Sequence, residues 1–414
     1  MLTNLSQYCN ILSYTLSHFL FFIYLPNLGQ EPMVSAPPPF YKYSGVIMNK
    51  KTGLYIHIPF CKSKCPYCDF YSKKSNDDEV ETYTQRLLEL ITYWGKKAEG
   101  RVITSVYFGG GTPNTLGSER LCKILKAVKS VFNVDDNAEI TTELNPNCSQ
   151  HFDFKNLKES GFNRLSFGMQ SANKKELKIL GRSHTPDDVK SVIKKARESG
   201  FGNISLDLML GIPLQTKETL AKSIDFCKGC GVEHISAYIL KVEENTPFYK
   251  KKDCLRIPDD DTQAELYSFA VKKLEALGYY QYEISNFAKK GFESRHNLTY
   301  WECDEYIGIG PGAYSFFDGK RFHYPRSFDK FYDNNIIQDG SGGDEEEYIM
   351  LNLRLSKGIS FERYKERFDA DFPDVTKNKA QKYADIGLLT IDSKGIRLNA
   401  NGFLVSNSII SDLM

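Results

Sequence analysis

Three cysteines at Cys61-x3-Cys65-x2-Cys68 are the tightest group of metal-binding side chains in the chain. Thiolates at that spacing on one loop suit three irons of a [4Fe–4S] cubane and leave the fourth iron without a protein ligand. An S-adenosylmethionine (SAM) molecule can chelate such an iron through its amino and carboxylate groups, and an electron from the cluster then cleaves the sulfonium to a 5′-deoxyadenosyl radical. Zinc is the competing reading, and it normally takes four Cys or His ligands. His57 is near enough in sequence to be one, but its strand should point it elsewhere. Tyr67, next to Cys68, is placed to pack an adenine.

Other polar groups fall at regular intervals downstream. Gly109-Gly110-Gly111-Thr112-Pro113 lets the backbone approach a ligand closely, although a structural bend would use the same residues. Glu143, Gln170 and Asp207 are expected to ring the ribose hydroxyls, and Arg182 to neutralise the SAM carboxylate. Each alone reads equally well as a cap or turn residue. His296, in HNLTYW, is either a hydrogen-bonded core histidine or an axial ligand to haem. Cys227-x2-Cys230 lies late in a helical pattern with no strand before it, so inert thiols are expected there, and Cys122, Cys148, Cys254 and Cys303 read as structural.

The elements that must position these residues alternate. Six apolar runs predict strands at Leu54–Ile58, Ser105–Phe108, Glu139–Glu143, Arg164–Phe167, Ile204–Leu208 and Ile235–Tyr238. Helical patterns separate them, as in 78–94, where Val80, Tyr83, Leu87, Ile91 and Trp94 recur every three or four residues. Leu121, Ile124, Leu125, Val128 and Phe132 repeat the stripe. Thr185 with Pro186 and Thr216 mark helix starts, and Gly200 and Gly231 mark ends. This alternation predicts a parallel sheet, as a partial barrel or an open doubly wound sheet. The unusual residues follow the strands directly, which in a barrel brings them to one mouth.

Composition allows one large core and a smaller appended domain: 414 residues, 41% of them hydrophobic. With 53 Lys and Arg against 52 Asp and Glu, the net charge of +1 provides no global field for nucleic acid or anionic membrane. Ten cysteines without a disulfide-like pattern suggest a reducing, cytoplasmic setting. Residues 1–47 read as an extension outside the working protein. The apolar run at 11–25 contains His18 and is short for a membrane span, no Lys or Arg precedes Lys42, and Met48 directly precedes the first strand. The barrel is expected over 48–280, and an irregular segment rich in aromatics and glycine over 281–340. Helices and a hairpin turning at Ser393-Lys394-Gly395 predict a small winged-helix-like α+β domain over 341–414. Its acidic start, DEEE, argues against a nucleic-acid partner.

Seven separated motifs carry a family resemblance: YIHIPFCKSKCPYCDF, FGGGTPN, ELNPN, RLSFGMQS, DLMLGIPLQT, SAYIL and YEISNFA with SRHNLTYW. From about Gly53 to the C-terminus the chain resembles the coproporphyrinogen III dehydrogenase-like radical SAM proteins. The resemblance implies a partial (β/α)6 TIM-like barrel and carries SAM-contacting roles onto Tyr55, Gly110, Gly111, Thr112, Glu143, Gln170, Arg182 and Asp207. The dehydrogenases of the family show CxxxCxxCxC, whereas Phe70 stands at the last position here. That departure sides with the haem-chaperone branch, whose members are thought to bind haem and pass it to haem-requiring respiratory proteins. The resemblance also implies an electron donor for the cluster. The alternative is an oxygen-independent dehydrogenase that oxidatively decarboxylates coproporphyrinogen III. A chain beginning at Met48 is expected to fold and load iron on anaerobic reconstitution; an insoluble or iron-free product would refute this.

Overall fold

The computed structural model describes residues 50–148 and 152–414, so the run at 11–25 and the start at Met48 lie outside the described residues. Each of the six apolar runs forms the centre of a longer strand: β1 (Lys50–Ile58), β2 (Arg101–Gly110), β3 (Val134–Leu144), β4 (Arg164–Gln170), β5 (Asn203–Leu210) and β6 (His234–Ile239). They pair in sequence order, all parallel. Alternate side chains such as Leu54, Ile56 and Ile58 on β1 and Ile204, Leu206 and Leu208 on β5 are fully buried on one face of the sheet.

The crossovers are helical: α1 (Asp77–Lys97), α2 (Gly117–Val131), α3 (Phe154–Ser160), α4 (Lys174–Ile179), α5 (Pro186–Glu198), α6 (Lys217–Gly229) and, after β6, α7 (Asp260–Ala276). Their starts are fixed chemically. Asn76 and Glu79 form a capping box on α1, and Thr185 forms one with Asp188 on α5, where Pro186 takes the first turn. Thr216 caps α6. On α1 the stripe Val80, Tyr83, Leu87, Ile91 and Trp94 is buried. The six parallel strands and their crossover helices form a partial (β/α)6 barrel.

The segment after residue 280 differs from its sequence reading, because it is strand-rich and completes both edges of the sheet. β8 (Asn286–Ala288) adds antiparallel to β6, and β7 (Tyr280–Glu283) pairs antiparallel with β8 at the edge. On the other edge β9 (Tyr306–Ile309) pairs parallel with β1, and β10 (Tyr314–Phe317), β11 (Lys320–His323) and β12 (Ile337–Ser341) continue antiparallel. Strands of three to five residues are too short to display an alternation, so tertiary pairing decides them. Between the edges, α8 (Arg295–Trp301) enters the barrel from below. The carboxylate of Glu139, on β3, accepts from the backbone N–H groups of Arg295 and His296 at 3.0 and 3.1 Å, satisfying the positive helix start.

The C-terminal domain is winged-helix-like. Helices α9 (Glu345–Asn352), α10 (Phe361–Phe368) and α11 (Asp374–Asp385) pack with β13 (Ile359–Ser360) and the hairpin β14 (Leu389–Asp392) and β15 (Gly395–Leu398), followed by helices over Ala400–Leu404 and Ser406–Leu413. It is joined to the barrel by backbone bonds from Ile284 to Arg354 and from Ser356 to Tyr282, each 3.0 Å. Among the described residues no helix is long and apolar enough to cross a membrane.

Trp94 links α1 to the added edge: its indole N–H donates to Tyr324 Oη at 2.9 Å, and its ring stacks on Phe322 at 5.3 Å. Trp94→Ala is therefore expected to cost about 3–5 kcal/mol. Tyr93→Ala, at a side chain 40% exposed, should stay within about 0.5 kcal/mol. Urea denaturation distinguishes the two, and equal effects would show that the edge strands do not depend on this contact.

Candidate functional site

The cysteine loop leaves the end of β1 and is closed by its own backbone. Cys61 N–H donates to Lys73 O and Lys73 N–H to Pro59 O, both at 3.0 Å, and Cys68 N–H donates to Cys65 O at 3.1 Å. The glycine turn after β2 is bonded to the same loop: Gly111 N–H reaches Ile58 O and Thr112 N–H reaches Phe60 O, each at 2.8 Å. A Cβ on Gly111 would stand 2.6 Å from Phe60 O, so only glycine permits this approach. Thr112 Oγ1 lies 3.3 Å from Cys61 Sγ. Gly111 is thus demanded by packing against the cysteine loop, whatever else it binds.

All three thiols are half-buried and line one cavity of about 230 Å³. Burial pushes the Cys68 thiol up to about 12, so ligation there must displace a tightly held proton. Among the described residues no three His, Cys, Asp or Glu side chains stand close enough for a single ion. A cubane makes a different demand, one thiolate per iron, and three thiols along one wall fit it.

Tyr55, Tyr67, Gly110, Gly111, Thr112, Glu143, Gln170, Arg182, Asp207 and His296 line the same cavity. Glu143 accepts from Tyr107 Oη at 2.8 Å and from Gly110 N–H at 3.2 Å. Burial, and then the neighbouring Asp207, push its carboxyl up to about 7. Asp207 accepts from Ser166 Oγ at 3.2 Å and is pushed up to about 6 by burial, which that hydrogen bond partly offsets. Gln170 ends β4 with φ +65° and accepts from Tyr238 Oη at 2.7 Å. Arg182 donates through Nε and Nη2 to Tyr67 Oη at 3.0 and 2.7 Å. It makes no ion pair among the described residues, so its charge remains available to an anion in the cavity.

The structure bears on three of the sequence readings. His57 is no fourth ligand: its ring bonds Tyr55 Oη at 2.9 Å and the Tyr71 carbonyl at 3.0 Å, and burial holds it neutral, down to about 4. His296 offers no open coordination position. Its ring bonds Ser105 Oγ at 2.9 Å and Tyr300 Oη at 2.8 Å and stacks on Tyr107 at 5.0 Å. Burial lowers it to about 3, and an axial bond to haem iron would first have to break one of those contacts. Cys254, read as structural, is exposed, whereas Cys227 is buried as an inert thiol would be.

Several lining residues escaped the sequence reading: Tyr107, Ser236, Tyr238, Glu283, Asn286 and Asn297. The first three had a signal. In a strand alternate side chains share a face, so Tyr107 on β2 and Ser236 with Tyr238 on β6 follow from parity with Tyr55 on β1 and Asp207 on β5. Glu283 had none, because β7 was not foreseen. Its carboxylate is fully buried; Oε1 accepts from Ser285 N–H at 3.2 Å, and Oε2 finds no partner of good geometry among the described residues. Burial pushes it up to about 7, which Asn286, Ser285 and Arg354 only partly offset.

The sequence pattern of the radical SAM superfamily matches residues 55–227, and that of the HemN C-terminal domain matches residues 345–405. The chain is 38% identical over 373 residues to a Bacillus subtilis protein named heme chaperone HemW, covering 86% of this chain and 97% of that one. It is 30% identical over 379 residues to the Lactococcus lactis heme chaperone HemW, covering 89% and 98%. Among solved structures, the Escherichia coli coproporphyrinogen III oxidase (HemN) superposes with a TM-score of 0.75 at 20% identity, covering 89% of this chain and 91% of that one, which establishes likeness of fold.

Glu283 supplies a pH test. Unfolded it titrates near 4.5 and folded near 7, so the fold holds the proton more tightly. Its destabilisation is absent below the unfolded value, grows as pH rises toward the folded one and is complete above it. Glu283→Gln should stabilise the cluster-free protein at pH 8 relative to pH 4.5 by on the order of 2–3 kcal/mol. Parallel pH–stability curves for variant and wild type would show that the carboxyl is not perturbed.

Proposed function

The chain belongs to the HemW family of radical SAM proteins, and from that premise we propose that it is a cytoplasmic haem chaperone that delivers haem to haem-requiring respiratory proteins. Its cluster would sit on Cys61, Cys65 and Cys68, with SAM beside it. The family implies both groups. The reading is carried by one convergence: three thiols, the unpaired Arg182 and the carboxyls of Glu143 and Asp207 meet in a single cavity at the ends of the parallel strands. When bound, the cluster and SAM supply one-electron cleavage of a sulfonium.

The side chains divide the work of holding that pair. Arg182 is placed for the SAM carboxylate, with Tyr67 fixing the plane of its guanidinium. Glu143, Gln170 and Asp207 present acceptors to ammonium and hydroxyl groups. Tyr55 and Tyr67 give apolar faces, and the turn at Gly110, Gly111 and Thr112 brings its backbone against the ligand. Buried carboxyls near neutrality can accept a donor's hydrogen bond without burying two full charges.

Two observations favour haem delivery over coproporphyrinogen oxidation. Phe70 stands where the dehydrogenases carry a further cysteine. The inner wall, where a hydrogen donor would meet the radical, presents Glu283 and the amides of Asn286 and Asn297 rather than a cation. Among the lining residues there, no cation stands to pair with a propionate carboxylate. Since His296 is closed by its own hydrogen bonds, the haem contact belongs elsewhere.

Anaerobic reconstitution should give about four irons per chain and a brown chromophore that Cys61→Ala loses. Haem titration should shift the Soret band. With SAM, reductant and coproporphyrinogen III, no protoporphyrinogen should form; its appearance in stoichiometric excess would overturn the haem reading in favour of the dehydrogenase.

A further inference from the structure

With His296 closed, the iron of a haem needs a donor from elsewhere in the chain. Of the seven histidines, His18 and His151 lie outside the described residues. Four of the others are already bonded or enclosed. His57, His234 and His296 bond through both ring nitrogens, and His184 bonds Met169 O through Nε2 while its Nδ1 is buried. His323, on β11, differs. Its side chain is 19% exposed, only Nδ1 is engaged, and Nε2 makes no hydrogen bond among the described residues and is not buried.

The surroundings of that ring are built around it. Nδ1 lies 2.8 and 3.0 Å from the two carboxylate oxygens of Asp339, so in the neutral ring Nδ1 carries the proton and Nε2 keeps its lone pair. A carboxylate on the far nitrogen orients a metal-binding imidazole and raises its basicity. Asp339 reaches the ring because the β11–β12 register shifts between Arg321 and Phe322, leaving Asp339 as a bulge residue whose side chain is re-aimed. Tyr314, opposite His323 on β10, stacks on the imidazole at 4.6 Å and 22°. Ile337, opposite it on β12, is 44% exposed. Cross-strand partners share a face, so Tyr314, His323 and Ile337 form one row that runs to the last strand of the sheet. Its inner end is the lip of the cysteine-lined cavity, where Tyr314 stands with Tyr71 and Arg326. Arg326, paired with Asp69 at 3.2 Å and 34% exposed, puts a cation at that lip.

We infer that His323 is an axial ligand of the haem that this chain carries, with Nε2 on the iron and Asp339 holding Nδ1–H. Tyr314 and Ile337 give the macrocycle an apolar surface, and Arg326 is a partner for a propionate. One iron–nitrogen bond forms and one iron-bound water leaves; no proton or electron moves, because Nε2 is already unprotonated. The inference rests on the haem-chaperone reading and adds the iron ligand that this reading lacks.

The test titrates haemin into the reconstituted full chain and examines the ferrous complex by resonance Raman for an iron–histidine stretch. Wild type should show it. His323→Ala should lose the stretch and bind haem roughly tenfold more weakly, and added imidazole should restore a nitrogen-ligated spectrum. Asp339→Asn should keep the ligand but lower the stretching frequency and weaken binding roughly tenfold, because an amide leaves the imidazole less basic. Both variants should load cluster iron like wild type, which shows that they fold. His323→Ala with the stretch and affinity of wild type overturns the inference and leaves haem binding intact. So does a signature lost instead in His18→Ala or His151→Ala, or a thiolate-ligated spectrum that Cys254→Ser removes. A wild-type chain that gives no Soret shift refutes the chaperone reading itself, and the inference with it.

Discussion

The site depends on the register of β1 against β2. Ile58 lies opposite Gly110, so the cysteine loop and the glycine turn leave the sheet side by side and bond to each other through Gly111 and Thr112. A shift of one residue would reverse which side chains face inward. Tyr55 would then leave the cavity while Tyr107 stayed, and the turn would lose the carbonyls it binds. Parallel pairing transmits this choice around the barrel, because each later strand aligns on the one before and ends at the same mouth.

The added edges and the plug turn that sheet into a vessel. α8 closes the interior from below, its start held by Glu139 and its His296 saturated by Ser105 and Tyr300. The imidazole under Tyr107 is thus a neutral floor tile. β7 contributes an acid the six-strand pattern could not supply, Glu283, and its Tyr282 carbonyl accepts from Ser356 N–H of the C-terminal domain. The same short strand therefore touches both the cavity and the winged-helix-like domain.

Charge is sorted by depth. Carboxyls lie inside, where burial pushes Glu143 and Glu283 toward neutrality, and unpaired lysines lie outside around the cysteine loop. Arg182 stands between them as the cavity's unpaired cation, braced by Tyr67.

The sequence alone settled the six central strands, because runs such as Leu54–Ile58 and Ile204–Leu208 place a strongly apolar residue at every second position, and it settled the helix starts at Thr185 and Thr216, because capping is local chemistry. It also brought Cys61, Cys65, Cys68 and the polar residues after each strand to one place, since parallel strands joined by helices end together. Tertiary structure decided what depends on partners far along the chain: the edge strands after residue 280, too short to show a period; the closure of His296 by Ser105 from β2; and the burial of Glu283. A local pattern records what a residue's neighbours in sequence require of it, whereas the protonation and hydrogen bonding of a buried group are set by whatever the fold packs against it.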